Sequence, residues 1–213
     1  MEDLKIKFVD GQMYEYYDMH LVDKDHPILT KPTEPFDFAN PPMKPRVLAV
    51  SMIQTMAKHR GVGLAAPQVG IPYRVFVMGG ADTAFACFNP KIIVEENAEL
   101  DDFDEGCLSF PGLFLNIKRP KHIKYAYQDM DGGWREGEFD GFTARIFQHE
   151  LDHLNGVIFT KLVSQYHLDK AKTKIHANLK QLKAEADAAA KRQAIAEASD
   201  KISKENQPLI ITP

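Results

Sequence analysis

The chain is poor in cysteine, has no long apolar run and carries no excess of positive charge. Two cysteines, Cys87 and Cys107, among 213 residues cannot build a disulfide scaffold. A single Cys87–Cys107 bond is the alternative to two free thiols. No apolar stretch reaches the ~18 residues that read as a membrane span. The opening Met1-Glu2-Asp3-Leu4-Lys5 is charged where a signal peptide would turn apolar. A reducing cytoplasm is the expected home, and it favours a free thiol at Cys107. The formal net charge of −4 does not point to nucleic acid. No internal repeat is found. With 44% hydrophobic and 26% charged residues, the composition is that of one sizeable globular core with room for a peripheral extension.

Residues 1–45 read as irregular. Pro27, Pro32, Pro35, Pro41, Pro42 and Pro45 fix their own backbones and restrict the residues before them, so this stretch is expected to wrap a core as extended loop and short strand. Val47, Val50, Met52, Ile53 and Met56 give a helix over 46–60, closed by Gly61. Short strands follow at Tyr73–Met78, Ala84–Phe88 and Lys91–Val94. Residues 95–106 are acidic and read as a turn. Residues 122–127 and 134–139 read as a hairpin about Asp131-Gly132-Gly133. A second helix runs from about Gly141 to His153, apolar enough to be central. A long C-terminal helix is expected over 166–204, with a flexible tail at 205–213.

The chemistry gathers on the second helix. His149-Glu150-Leu151-Asp152-His153 reads H-E-x-x-H, and residues four apart on a helix share a face, so both imidazoles can reach one ion. In the extended metalloprotease pattern a third histidine follows, but Phe159 occupies that position and cannot ligate. Glu185 lies far along a separate helix. Cys107, within Glu105-Gly106-Cys107-Leu108-Ser109, is the better third ligand, bound as thiolate. Cysteine, two histidines and one open position describe a hydrolytic centre rather than a closed structural one. The ion's charge lowers the pKa of water bound to it, and Glu150 is placed to act as acid and base.

With these residues in view, the sequence resembles the peptide deformylase family. The match rests on Gly61-Val62-Gly63-Leu64-Ala65-Ala66-Pro67-Gln68, on Glu105-Gly106-Cys107-Leu108-Ser109, and on Gln148-His149-Glu150-Leu151-Asp152-His153-Leu154-Asn155-Gly156, in that order, within about residues 21–165. The resemblance implies an α+β fold in which antiparallel sheets surround the central helix bearing H-E-x-x-H. The catalytic domain would span 1–165, with 1–20 as an N-terminal extension.

The activity implied is hydrolysis of the N-formyl group from formylmethionyl nascent polypeptides, with release of formate. Cys107, His149 and His153 match the family's ligands. The metal implied is Fe(II), with zinc, nickel or cobalt as replacements. Water activated at the metal would attack, Glu150 would move the proton, and Gln68 with the Leu108 backbone N–H would stabilise the oxyanion. The methionine slot would be walled by Val62, Leu64, Phe142, Ile146 and His149. The peptide backbone would lie along Gly61–Leu64, with Gly63 in its middle, and along Gly106 and Phe110-Pro111-Gly112. Glu105 would anchor that loop or a ligating imidazole. Asp152 is expected to pair with Arg119 or Arg145. Ser109 reads as a turn residue, since no His–Asp pair activates it.

Family members with a basic C-terminal helix suggest a ribosome contact through Lys170, Lys172, Lys174, Lys180 and Lys183; a solvated helix face is the alternative. The expected state is a monomer. Other readings of the same residues are a metallopeptidase, a catalytically silent ribosome-associated binding protein, and a structural zinc protein completed by Cys87.

Overall fold

The computed structural model describes residues 4–9, 12–80, 83–93, 98–177 and 180. The chain divides into two units, Met1–Leu168 and Asp169–Pro213. The first unit contains β1 (Lys5–Val9), β2 (Gln12–Tyr16), α1 (Pro45–Lys58), β3 (Gly63–Ala65), β4 (Val75–Met78), β5 (Phe85–Ile93), β6 (Leu100–Cys107), β7 (Phe110–Pro120), β8 (His122–Gln128), β9 (Trp134–Asp140) and α2 (Gly141–Leu154). The main sheet has the order β3-β4-β5-β8-β9, while β1-β2 and β6-β7 form separate two-stranded sheets. Each of these strands pairs antiparallel with its neighbours, and an isolated parallel bridge joins Glu34 to Tyr73. The expected α+β architecture, with antiparallel sheets about the H-E-x-x-H helix, is the one observed.

The period-2 alternation of strands explains why one sheet serves two helices. On β4, Val75 and Val77 point into a cluster with Leu48, Met52 and Met56 of α1. Phe76 and Met78 point the other way, towards Ala144, Phe147, Leu151 and Leu154 of α2. All four β4 residues are therefore buried, and the strand reads as a continuous apolar run. Phe76 and Phe147 meet edge to face, with centroids 5.0 Å apart. This seats α2 with its apolar stripe on the sheet and leaves its polar side for the site. Asp140 caps α2 through a side-chain bond from the Gly141 N–H.

Several expectations need correction. Residues 100–107 are a strand, not a turn, paired along β7 from Leu100↔Pro120 to Cys107↔Phe110. The acidic composition hid it: β6 is largely exposed, and its acids face partners on β7, as in Asp102–Lys118 and Asp104–Asn116. The short strand expected within residues 1–45 takes the form of the β1–β2 hairpin. The two strands expected at Ala84–Phe88 and Lys91–Val94 are one strand with a register shift between Phe88 and Lys91. Asn89 sits there at φ 49°, and its side chain bonds both backbone polar groups of Phe36. The first helix begins at Pro45, where its missing N–H costs nothing.

Beyond the last strand, residues 165–177 are helical, and the Ser164 hydroxyl accepts from the His167 N–H at the helix start. The remainder of the expected 166–204 helix, apart from Lys180, and the 205–213 tail lie outside the described residues.

Candidate metal centre and active site

Three segments converge. Helical spacing puts His149 and His153 on one side of α2, with ring centroids 5.1 Å apart. The end of β6 brings Cys107, whose Sγ lies 3.3 Å from His153 Nε2. One ligating atom from each of Cys107, His149 and His153 falls within 4.8 Å of the others. A thiol and two imidazoles suit a borderline divalent cation. Among the described residues, the buried side-chain polar atoms without a partner are Glu150 Oε2 and His153 Nδ1. Polar atoms left unpaired in a buried place are costly, and here they lie beside the donor set.

The two imidazoles sit in different electrostatic surroundings. Burial alone would depress the His149 imidazole, but hydrogen bonds with Cys107 and Glu105 outweigh it and lift the pKa to about 10. Burial, reinforced by His149 and Arg119, pushes His153 well down, so that ring is neutral and ready to ligate.

Glu105 fixes the first imidazole. Its Oε2 is 3.0 Å from His149 Nδ1, which would leave the other ring nitrogen to ligate an ion. Burial opposes its ionisation, yet the bonds from His149 and Arg119 prevail and hold its pKa at about 2. Arg119 grips both Glu105 oxygens at 2.6 and 2.9 Å and reaches Asp152 at 2.8 Å. Of the two partners expected for Asp152, the structure places Arg119 there. Arg145 goes elsewhere: it bonds Glu105 at 2.8 Å and the carbonyls of Ile117 and Asp101 at 2.8 and 2.6 Å.

Glu150 is 4% exposed, and burial raises its pKa to about 7. Its room comes from a missing side chain. A Cβ on Gly63 would stand 2.2 Å from Glu150 Oε1. Gln68 lies in the 3-10 turn Ala66–Val69, held by the Ala65 N–H donating to its Oε1 at 2.8 Å. Its Nε2 is 3.5 Å from Cys107 Sγ.

A cleft of about 660 Å³ runs over these groups. Val62, Gly63, Gln68, Glu105, Gly106, Cys107 and Leu108 line it, as do Phe110, Pro111, Gly112, Phe142, Ile146, His149 and Glu150. Leu64 does not; it is fully buried in the α1 cluster, because it points to the opposite face of β3 from its neighbours. His153 lies beneath the lining, 1% exposed. Phe103 also lines the cleft, 5.9 Å from the Phe142 ring, with the Arg145 guanidinium 5.7 Å over it. Sequence reasoning missed Phe103 because its segment read as a turn; an aromatic among acids was the available signal. Cys87 is free and buried in the α2 cluster, apart from the triad, so neither the disulfide nor a fourth cysteine ligand is formed.

Three side chains that could hold one ion, a buried carboxylic acid beside them and a cleft over both are the equipment of a metal-dependent amidohydrolase. Residues 19–169 match the family model described as polypeptide deformylase, and the chain belongs to that family. The peptide deformylase of Thermotoga maritima is 45% identical over 138 residues, covering 65% of this chain and 82% of the relative. Its solved structure superposes with a TM-score of 0.63 over 70% of this chain and 99% of that one. A Synechococcus elongatus peptide deformylase, solved in complex with actinonin, gives 0.66 at 34% identity, over 74% of this chain and 86% of that one. No helix of the described residues is long and apolar enough to cross a membrane.

Proposed function

We propose that this chain removes the formyl group from peptides beginning with formylmethionine, with Glu150 as the proton carrier. The observation that carries the reading is the unpartnered, buried Glu150 Oε2 beside the Cys107–His149–His153 triad. The ion these residues would hold acts as a Lewis acid, lowering the pKa of water and stabilising negative charge on oxygen. Fe(II) is the metal we assign; zinc, nickel and cobalt suit the same donors.

Glu150 takes a proton from the attacking water and returns it to the departing amine. A carboxyl group with a pKa of about 7 can do both near neutrality. The Gln68 amide and the Leu108 backbone N–H donate to the oxygen that gains charge; loss of one such donor costs about 3–4 kcal/mol in the transition state. Phe142, Ile146 and Val62 receive the methionine side chain. The free edge of β3 pairs with the peptide backbone, which fixes register without reading later side chains.

Glu150→Ala tests this. Formate release from formyl-Met-Ala-Ser should fall by about 10²–10⁴-fold with metal content retained. Release at the parental rate would remove Glu150 from the mechanism.

We also infer a cytoplasmic monomer acting near the ribosome. Lys170, Lys172, Lys174 and Lys180 are exposed and suit a phosphate-rich surface, while Lys183 lies outside the described residues.

A further inference from the structure

Ser109 stands beside the active site without entering it. It is the second residue of the turn joining β6 to β7. Its neighbours Leu108 and Phe110 line the cleft, and it does not. It is 6% exposed, and its hydroxyl oxygen accepts from Gln68 Nε2 at 3.1 Å.

This contact decides where the Gln68 amide points. The Ala65 N–H can only donate, so the atom facing it at 2.8 Å is the amide oxygen, and the NH₂ end is turned towards β6–β7. That group carries two hydrogens in the plane of the amide. Ser109 takes one. Planarity then fixes the other, which lies towards Cys107 Sγ at 3.5 Å. Sulfur is a weak acceptor, so this second hydrogen is the one readily given up to a stronger one. Gln68 is 2% exposed, so bulk water has little access to replace a lost partner.

We propose that Ser109 is a positioning residue: its hydroxyl pins one amide hydrogen of Gln68 so that the other is aimed at the formyl oxygen as that oxygen gains charge. The inference rests on the assignment of Gln68 as an oxyanion donor. Without the hydroxyl, the amide twists to find another acceptor and its remaining hydrogen leaves the line of attack. Substrate binding makes no demand on that alignment, so the loss falls on kcat rather than KM.

The test is a double-mutant cycle on the full-length, metal-loaded protein. It uses Ser109→Ala, Ser109→Thr, Gln68→Ala and the double variant Gln68→Ala/Ser109→Ala. Formate release from formyl-Met-Ala-Ser is measured with metal content and Tm. Ser109→Ala should lower kcat by about 5–10-fold, the effect of one hydrogen bond, with KM and bound metal unchanged. Ser109→Thr, which keeps a hydroxyl, should recover most of that loss. Gln68→Ala should lose about 10²–10³-fold, and adding Ser109→Ala to it should change nothing more.

A parental kcat for Ser109→Ala, with Gln68→Ala defective, overturns the role of Ser109 and leaves that of Gln68 standing. So does a Ser109→Ala loss of equal size in the Gln68→Ala background, because the serine would then act by another route. A parental rate for Gln68→Ala removes the oxyanion assignment, and the serine's role with it. If Ser109→Ala proves too unstable to assay, Ser109→Cys keeps a side chain of similar size with a weaker acceptor and carries the same expectations.

Discussion

At the scale of single residues, the site depends as much on an absent side chain as on those present. Gly63 leaves the space that the Glu150 carboxylate fills. Gly63→Ala should push that carboxylate aside and lower kcat by at least about 10²-fold while the metal stays bound, as formate release and metal analysis would show. The two thiols offer a second check. Cys87 is fully buried, and burial raises its pKa well above the ordinary range, whereas Cys107 is half-buried in the cleft wall. Iodoacetamide should label metal-free protein at Cys107 alone, and metal should protect it. Mass spectrometry finding label on Cys87 in the folded protein would contradict the core placement. His149, His153 and Glu150 were legible in the sequence through helical spacing and chemical type, and Cys107 because Phe159 cannot ligate and the family resemblance points to the thiol. The Arg145–Glu105 pair was not, since nothing in either local pattern says which strand faces which helix.

Among the elements, the β6–β7 hairpin is the one whose attachment matters. Among the described residues it forms a two-stranded sheet of its own, apart from the main sheet, yet it delivers Cys107. Polar links to α2 hold it: Arg145 to Glu105, Ile117 and Asp101, Arg119 to Asp152, and Gln148 to the Pro120 carbonyl at 2.8 Å. Arg119→Met would leave Glu105 with one guanidinium and Asp152 with none. Breaking a buried pair from one side costs about 3–5 kcal/mol, and urea unfolding of the metal-loaded protein should read that loss. Removing the metal deletes the link between Cys107 and α2, so amide exchange should quicken in residues 100–120 more than in β4 or β5. Equal change in all strands would mean the hairpin has no independent freedom. Sequence patterning found β4 and α2, whose apolar periods are strong. It failed on β6, where cross-strand charge pairs do the work that hydrophobic alternation does elsewhere.

For the whole molecule, the family match ends at residue 169 and the first unit ends at Leu168. A chain ending at residue 169 should keep the parental kcat/KM on formyl-Met-Ala-Ser. Its loss would place the C-terminal unit within the catalytic fold. The global architecture was readable through the family resemblance that motifs in three separated segments carry, which implies antiparallel sheets around one helix. The β1–β2 hairpin was not placed, because the alternation in Lys5-Ile6-Lys7-Phe8 is short and its Ile6 stays exposed, so it carries little of the core-facing signal.

The donor atoms for the ion come from Cys107 and, well downstream, from His149 and His153, with β7, β8 and β9 in between. The helix alone therefore offers two imidazoles, and the third donor joins them only when the hairpin is in place. The complete three-donor grip thus arises with closure of the hairpin onto the helix, so full affinity for the ion is a property of the folded tertiary structure and not of any local segment.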